Sequence, residues 1–221
     1  MSYSFRLAFF AVLTCCIASI AQTVSQLRKV EPRDLFYETA ILRSPAQHIP
    51  TLRYRVLQKQ PDGGFAGVDP SSTVFQSGDQ VRIHIEANQD GFLYIVQRGS
   101  SGQWGVLFPA ATINNGNNRT TAFQAVEIPS AAGRGFMFDA RAGRENVFLL
   151  YSCRSIPVDS LMASLNQPAP MKSRDLVFEK SEENAPGEFK GAAFYAMDSG
   201  DRLDSPIVVR LVLTHAGTST N

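Results

Sequence analysis

The sequence is short of the residues that most often carry covalent or metal chemistry. It holds three cysteines, three histidines and one tryptophan in 221 residues. Cys15 and Cys16 lie in an N-terminal apolar run, so a mature chain without that run keeps only Cys153. A single thiol closes no intramolecular disulfide, and such a chain must rest on its core. His48, His84 and His215 are far apart and show no metal-ligand spacing. Charge of one sign is lacking too: the formal net charge is +1, with no long run of either sign. That excludes the electrostatic footprint of a nucleic-acid or anionic-lipid binder. Beyond the first twenty residues no apolar run is long enough to span a membrane. There is no internal repeat and no alternation of strand and helix.

What the N-terminus does have is an address. A short polar start with Arg6 leads into the apolar run of residues 7–20, and Ser19 and Ala21 supply small residues at −3 and −1 of a cleavage site. This is the pattern of a secretory signal peptide over residues 1–21. The mature chain then begins at Gln22, with 20 basic against 20 acidic residues. Cys15 and Cys16 raise a lipoprotein alternative, but their preceding residues, Thr14 and Cys15, suit a lipidation site poorly. The expectation is export to the periplasm or the exterior.

Residues 22–50 read as a linker with a short helix in EPRDLFYETAIL, where Pro32 suits a first turn and Leu35, Thr39 and Leu42 share a face. Residues 51–215 read as one domain, and residues 216–221 as a frayed tail. Eight to ten short strands at intervals of ~8–12 residues predict an all-β, mainly antiparallel fold, an immunoglobulin-like sandwich or open barrel with one or two short helices. QVRIHIEA predicts Val81, Ile83, Ile85 and Ala87 on a core face, with Arg82, His84 and Glu86 facing solvent. FLYIVQ is apolar on both faces and reads as a central strand. Asp90-Gly91 predicts a two-residue hairpin turn pairing these two strands, with Gly91 at positive φ. Ser155 and Pro157 read as a helix start before Val158, Leu161, Met162 and Leu165.

A set of residues at fixed spacing resembles a known family. Phe75, Gly78, Asp79, Val81 and Arg82 are followed by Asn88, Asp90, Gly91, Leu93 and Tyr94, and then by Leu107, Phe108 and Pro109. This pattern is similar to a bacterial domain of unknown function, the family numbered forty-three eighty-four, over about residues 73–157. EIP, FMFD and GRE further on resemble its second half. The resemblance implies an envelope protein, or a module of the kind appended to kinases and caspase-like proteases. No activity is implied for the module itself, and with no kinase or protease pattern in these residues the expectation is a stand-alone exported member. The residues themselves read as architecture: Gly78 and Asp79 as a turn, Tyr94 as a buried ring with its hydroxyl satisfied, Leu107, Phe108 and Pro109 as a strand end.

Other candidates for chemistry are few. Cys153 with His84 or His215 is the one conceivable nucleophile and base, but no helix start lies directly behind Cys153 to lower its pKa, and its flanks match no cysteine-protease signature. Asp139 with Glu145, and Asp201 with Asp204, are carboxylate pairs without EF-hand spacing. GSSGQWG leads into a strand and not into a helix N-terminus, which argues against a phosphate loop. Trp104, beside that turn, is a candidate recognition anchor. The reading is an exported, non-catalytic module that binds an envelope protein or cell-wall component, with no cofactor and no metal. A cysteine-dependent hydrolase is the alternative.

Overall fold

In the computed structural model, residues 31–42, 49–98, 102–130, 135–167, 176–184, 189–198 and 206–217 are described. Numbered in chain order, helix α1 (Pro32–Leu42) precedes β1 (Thr51–Lys59), β2 (Phe65–Val68), β3 (Val74–Gln76), β4 (Gln80–Ala87), β5 (Gly91–Arg98) and β6 (Trp104–Phe108). Then follow β7 (Arg119–Thr120), β8 (Val126–Ile128), β9 (Phe136–Met137), β10 (Gly143–Ser152), helix α2 (Val158–Leu165), β11 (Leu176–Glu183), β12 (Gly191–Asp198) and β13 (Ile207–Ala216).

Period-two alternation sorts these strands into two sheets around one core. The first sheet runs β11-β12-β2-β1-β4-β8, with β12 also pairing β1 and β9 also pairing β4. The second runs β3-β13-β10-β5-β6, with β7 also on β5. All pairings are antiparallel except β2 with β12 and β3 with β13. Leu52, Tyr54 and Val56 of β1 and Val81, Ile83 and Ile85 of β4 meet Leu93, Ile95, Leu149, Val209 and Leu211 of the opposing sheet. Among the described residues the fold is thus an all-β sandwich with two α-helices.

Each outer face is covered by one helix. On the second sheet Leu161 and Leu165 of α2 pack on Tyr94, Val96, Leu150 and Val208. This explains why β5 is apolar on both faces: one faces the core, the other α2. Pro157 stands at the N-cap of α2 without a side-chain cap, so Ser155 does not cap it as its position suggests. On the first sheet Phe36 of α1 packs on Ala193 and Tyr195. The anchor of α1 is therefore Phe36, while Leu35 is only half-buried.

Two expectations are corrected. β4 and β5 do not pair: β4 lies between β1 and β8, and β5 between β10 and β6. Asp90-Gly91 is the crossover from one sheet to the other, and Gly91 does not adopt positive φ. Aligning β4 and β5 in one sheet would lay the second apolar face of β5 beside the charged face of β4, whereas the crossover gives each face its own cover. That charged face is the second correction. Arg82 and His84 are each 8% exposed, and Glu86 is half-buried, so the alternation in QVRIHIEA separates core from a covered polar layer and not from water.

Candidate functional site

The covered polar layer comes from alternate residues of adjacent strands. Arg53 and Arg55 of β1 lie opposite Glu86 and His84 of β4, and His84 opposite Glu127 of β8. Glu183, at the end of β11, reaches both arginines, and the Tyr195 hydroxyl donates to its other oxygen. Arg53 also reaches Glu86 at 3.0 Å, His84 Nε2 lies 3.0 Å from the same Glu86 oxygen, and Arg82 pairs with Glu127 at 3.0 Å. Phe65 lies under the Arg82 guanidinium at 4.0 Å, and Phe189 stands edge-on to His84. Burial pushes the Glu183 carboxyl up, but the Tyr195 hydroxyl and the Arg53 and Arg55 guanidinium groups outweigh it and hold it below its ordinary value. Three arginines face three glutamates, so the layer satisfies its own charge. It has the form of an internal fastening between β11, β1, β4 and β8.

An open site lies elsewhere, between the sheets at the end where β10 begins and β13 ends. A cleft of about 360 Å³ opens there. From the first sheet it takes Val81 and Ile83 of β4 and the β9 segment from Phe136 to Asp139. From the second it takes Gln97, Leu107, Glu145, Val147, Leu213 and His215. The volume sits at the low end of the ~300–1,000 Å³ of small-ligand sites.

The turn at Gly78 and Asp79 builds one wall. Gly78 adopts φ +89°, a backbone position that glycine fills without strain. Asp79 accepts hydrogen bonds from the Gln76 amide at 2.8 Å and the Gln58 side chain at 2.9 Å. So fixed, the turn holds Phe138 by two backbone bonds: the Gly78 N–H donates to the Phe138 carbonyl, and the Phe138 N–H to that of Asp79. The Phe138 ring stacks on Phe75 at 4.8 Å and lies 5.0 Å from the His215 ring. His215 is 4% exposed; its Nε2 lies 3.8 Å from Glu145, and its Nδ1 has no hydrogen-bond partner.

Residues 74–155 match the family model of a domain of unknown function, DUF4384. No curated protein and no solved structure matches the chain. The DUF4384 stretch supplies ten of the twelve described residues around the cleft, so most of the described lining falls in the matched stretch; Leu213 and His215 join it from β13.

The residues singled out in the sequence are mostly architectural here. The Asn88 side chain accepts from the Thr51 N–H at 2.8 Å and donates to the Ile49 carbonyl at 3.0 Å, clipping the start of β1. Asp90 accepts from the Ala122 N–H at 2.9 Å. Tyr94 is buried, and its hydroxyl accepts from the Ile156 N–H at 2.7 Å. Phe108 is a core residue, Pro109 follows the strand end, and Leu107 reaches the cleft. Trp104 packs on Phe148 at 5.0 Å on the outer face of the second sheet, away from the cleft.

Cys153 and the two described histidines are not brought together. Gly143 pairs with His215 at one end of β10 and Cys153 follows Ser152 at the other, which separates them by about 30 Å of extended strand. His84 faces the polar layer, whereas Cys153 packs against the core between the sheets. His48, Asp201 and Asp204 lie outside the described residues. Of the two carboxylate pairs, Asp139 and Glu145 both line the cleft. Their six-residue spacing spans β9 to β10, and nothing local in the sequence signals that these segments meet.

Proposed function

We propose that this chain is an exported, non-catalytic binding module of the bacterial cell envelope that receives a small ligand between its two sheets. The observation that carries the binding role is the cleft: apolar walls, a few convergent polar groups and an opening to solvent. A catalytic role finds less support, because the one thiol of the proposed mature chain stands far from both described histidines. Export rests on the apolar run and the small residues before Gln22. Among the described residues no helix is long and apolar enough to cross a membrane. The partner that presents or uses the ligand is an envelope protein or cell-wall component.

Two measurements test this. Fractionation with N-terminal sequencing should find the protein outside the cytoplasm and starting at Gln22; an acylated Cys15 or Cys16 would replace free export with membrane anchoring. A fragment titration followed by amide chemical shifts should perturb Ile83, Val147 and Leu213 together. Shifts confined to the outer sheet faces would remove the cleft as the site.

A further inference from the structure

We propose that the cleft is selective for a small organic cation, a compact apolar body carrying a protonated amine, with the ammonium held by Glu145 and Asp139. This rests on the cleft being a binding site at all, and names what it takes. Three observations lead to it. Among the described residues the ionisable side chains at the cleft are Asp139, Glu145 and His215, with no lysine or arginine, so their field favours a cation. Asp139 uses one oxygen on the Arg141 N–H at 2.8 Å and keeps the other for a ligand, being exposed. His215, almost wholly buried in the wall, is the second and independent mark of an unfilled site, because its Nδ1 has no hydrogen-bond partner where buried polar atoms are normally satisfied.

The rest of the wall decides what kind of cation fits. Among the described residues no group of three His, Cys, Asp or Glu side chains is arranged to hold a metal ion. A hard divalent ion also wants six or more oxygens, and Phe136, Phe138, Val147 and Leu213 offer none. Those side chains suit an alkyl or aryl body. A carboxylate head would meet two like charges and is rejected.

The test is a matched series on the protein purified from its native host: phenethylamine, phenethyl alcohol and hydrocinnamate share a body and differ in the head. Calorimetric titration at neutral pH and low salt should rank the amine about tenfold or more above hydrocinnamate, with the alcohol between them. Glu145→Gln should weaken the amine about tenfold and leave the alcohol unchanged. Asp139→Asn, at an exposed position where folding is not at risk, should weaken the amine in the same direction. Equal affinity for all three heads, or a preference for hydrocinnamate, overturns the cation assignment but leaves the cleft as a binding site. Amine binding that ignores both substitutions overturns it too, by placing the amine elsewhere. Failure of all three to bind overturns the site itself.

Discussion

Arg55 and Glu183 stand 128 positions apart in the chain and meet as a buried ion pair on the face of the first sheet that α1 covers. Arg53 grips the same carboxylate, and Tyr195 donates to its other oxygen. The sheet thus carries charge where an isolated sandwich would carry water. Such a pair is a weak net stabiliser, but its geometry is demanding, and losing one member strands the others.

Glu183→Ala should therefore cost about 3–5 kcal/mol in a urea titration at neutral pH, a large share of the ~5–15 kcal/mol of a typical domain. The acid dependence should change with it. The Glu183 carboxyl titrates below its ordinary value of 4.5 in the folded state, and Glu86 is lowered too. Their stabilisation is complete above the ordinary value and is lost as pH falls through the lower folded value. Unfolding midpoints of the wild type should drop between neutral pH and about pH 3. Those of Glu183→Gln should start lower and drop less. Parallel pH profiles would show that the pair does not couple to folding.

His84→Ala should be costly, where a solvent-facing histidine would have been silent. Burial raises the Glu86 carboxyl, and the His84 hydrogen bond and the Arg53 charge bring it down. Removing the imidazole also opens a gap beside Phe189. A loss of about 1–3 kcal/mol follows from leaving a half-buried carboxylate short of a partner. Equilibrium denaturation decides it; a change within error would mean that water replaces the ring at no cost.

These residues mark where the sequence was legible and where it was not. The inward alternation of Val81, Ile83 and Ile85, the two-sided apolarity of β5 and the helix at Val158 all follow from local periodicity, which depends only on near neighbours. The cover over Arg82 and His84 comes from β8, 45 positions onward for Arg82, and that over Arg55 from β11. Charge on a strand normally signals water, and a period-two pattern looks alike whether its polar face meets solvent or an opposing set of charges. The Asp-Gly signal failed for a related reason. It reports a tight bend, while the partner of each strand is chosen by which sheet buries its second face.

Trp104 should matter for stability and not for ligand binding. It is half-buried on the outer side of the second sheet, against Phe148 and near Arg98, whereas the cleft opens on the inner side. Trp104→Ala should cost about 2–4 kcal/mol, the loss expected of a large aromatic at a partly covered site. Affinity for phenethylamine should remain that of the wild type. An equal stability with a weaker affinity would restore Trp104 as a recognition residue.

Gly91 and Gly78 should rank alanine and asparagine in opposite order, because they are glycines for different reasons. A Cβ at Gly91 would stand 2.5 Å from the Tyr151 hydroxyl oxygen and 2.7 Å from the Ser152 carbonyl oxygen. The Tyr151 hydroxyl cannot easily yield, since it donates to the Gln89 carbonyl at 2.6 Å and so ties β10 to the crossover. Gly78 has nothing within 4 Å of such a Cβ, but its φ of +89° strains any other residue. Gly78→Ala should then cost about 1 kcal/mol, and Gly78→Asn less, because asparagine tolerates the left-handed region. Gly91→Ala should cost about 1–3 kcal/mol through overpacking, and Gly91→Asn more, since the longer side chain meets the same obstruction. Four denaturant titrations decide it. If asparagine were the milder replacement at Gly91 as well, that residue would sit in a left-handed turn, and the crossover between the sheets would have to be redrawn as a hairpin.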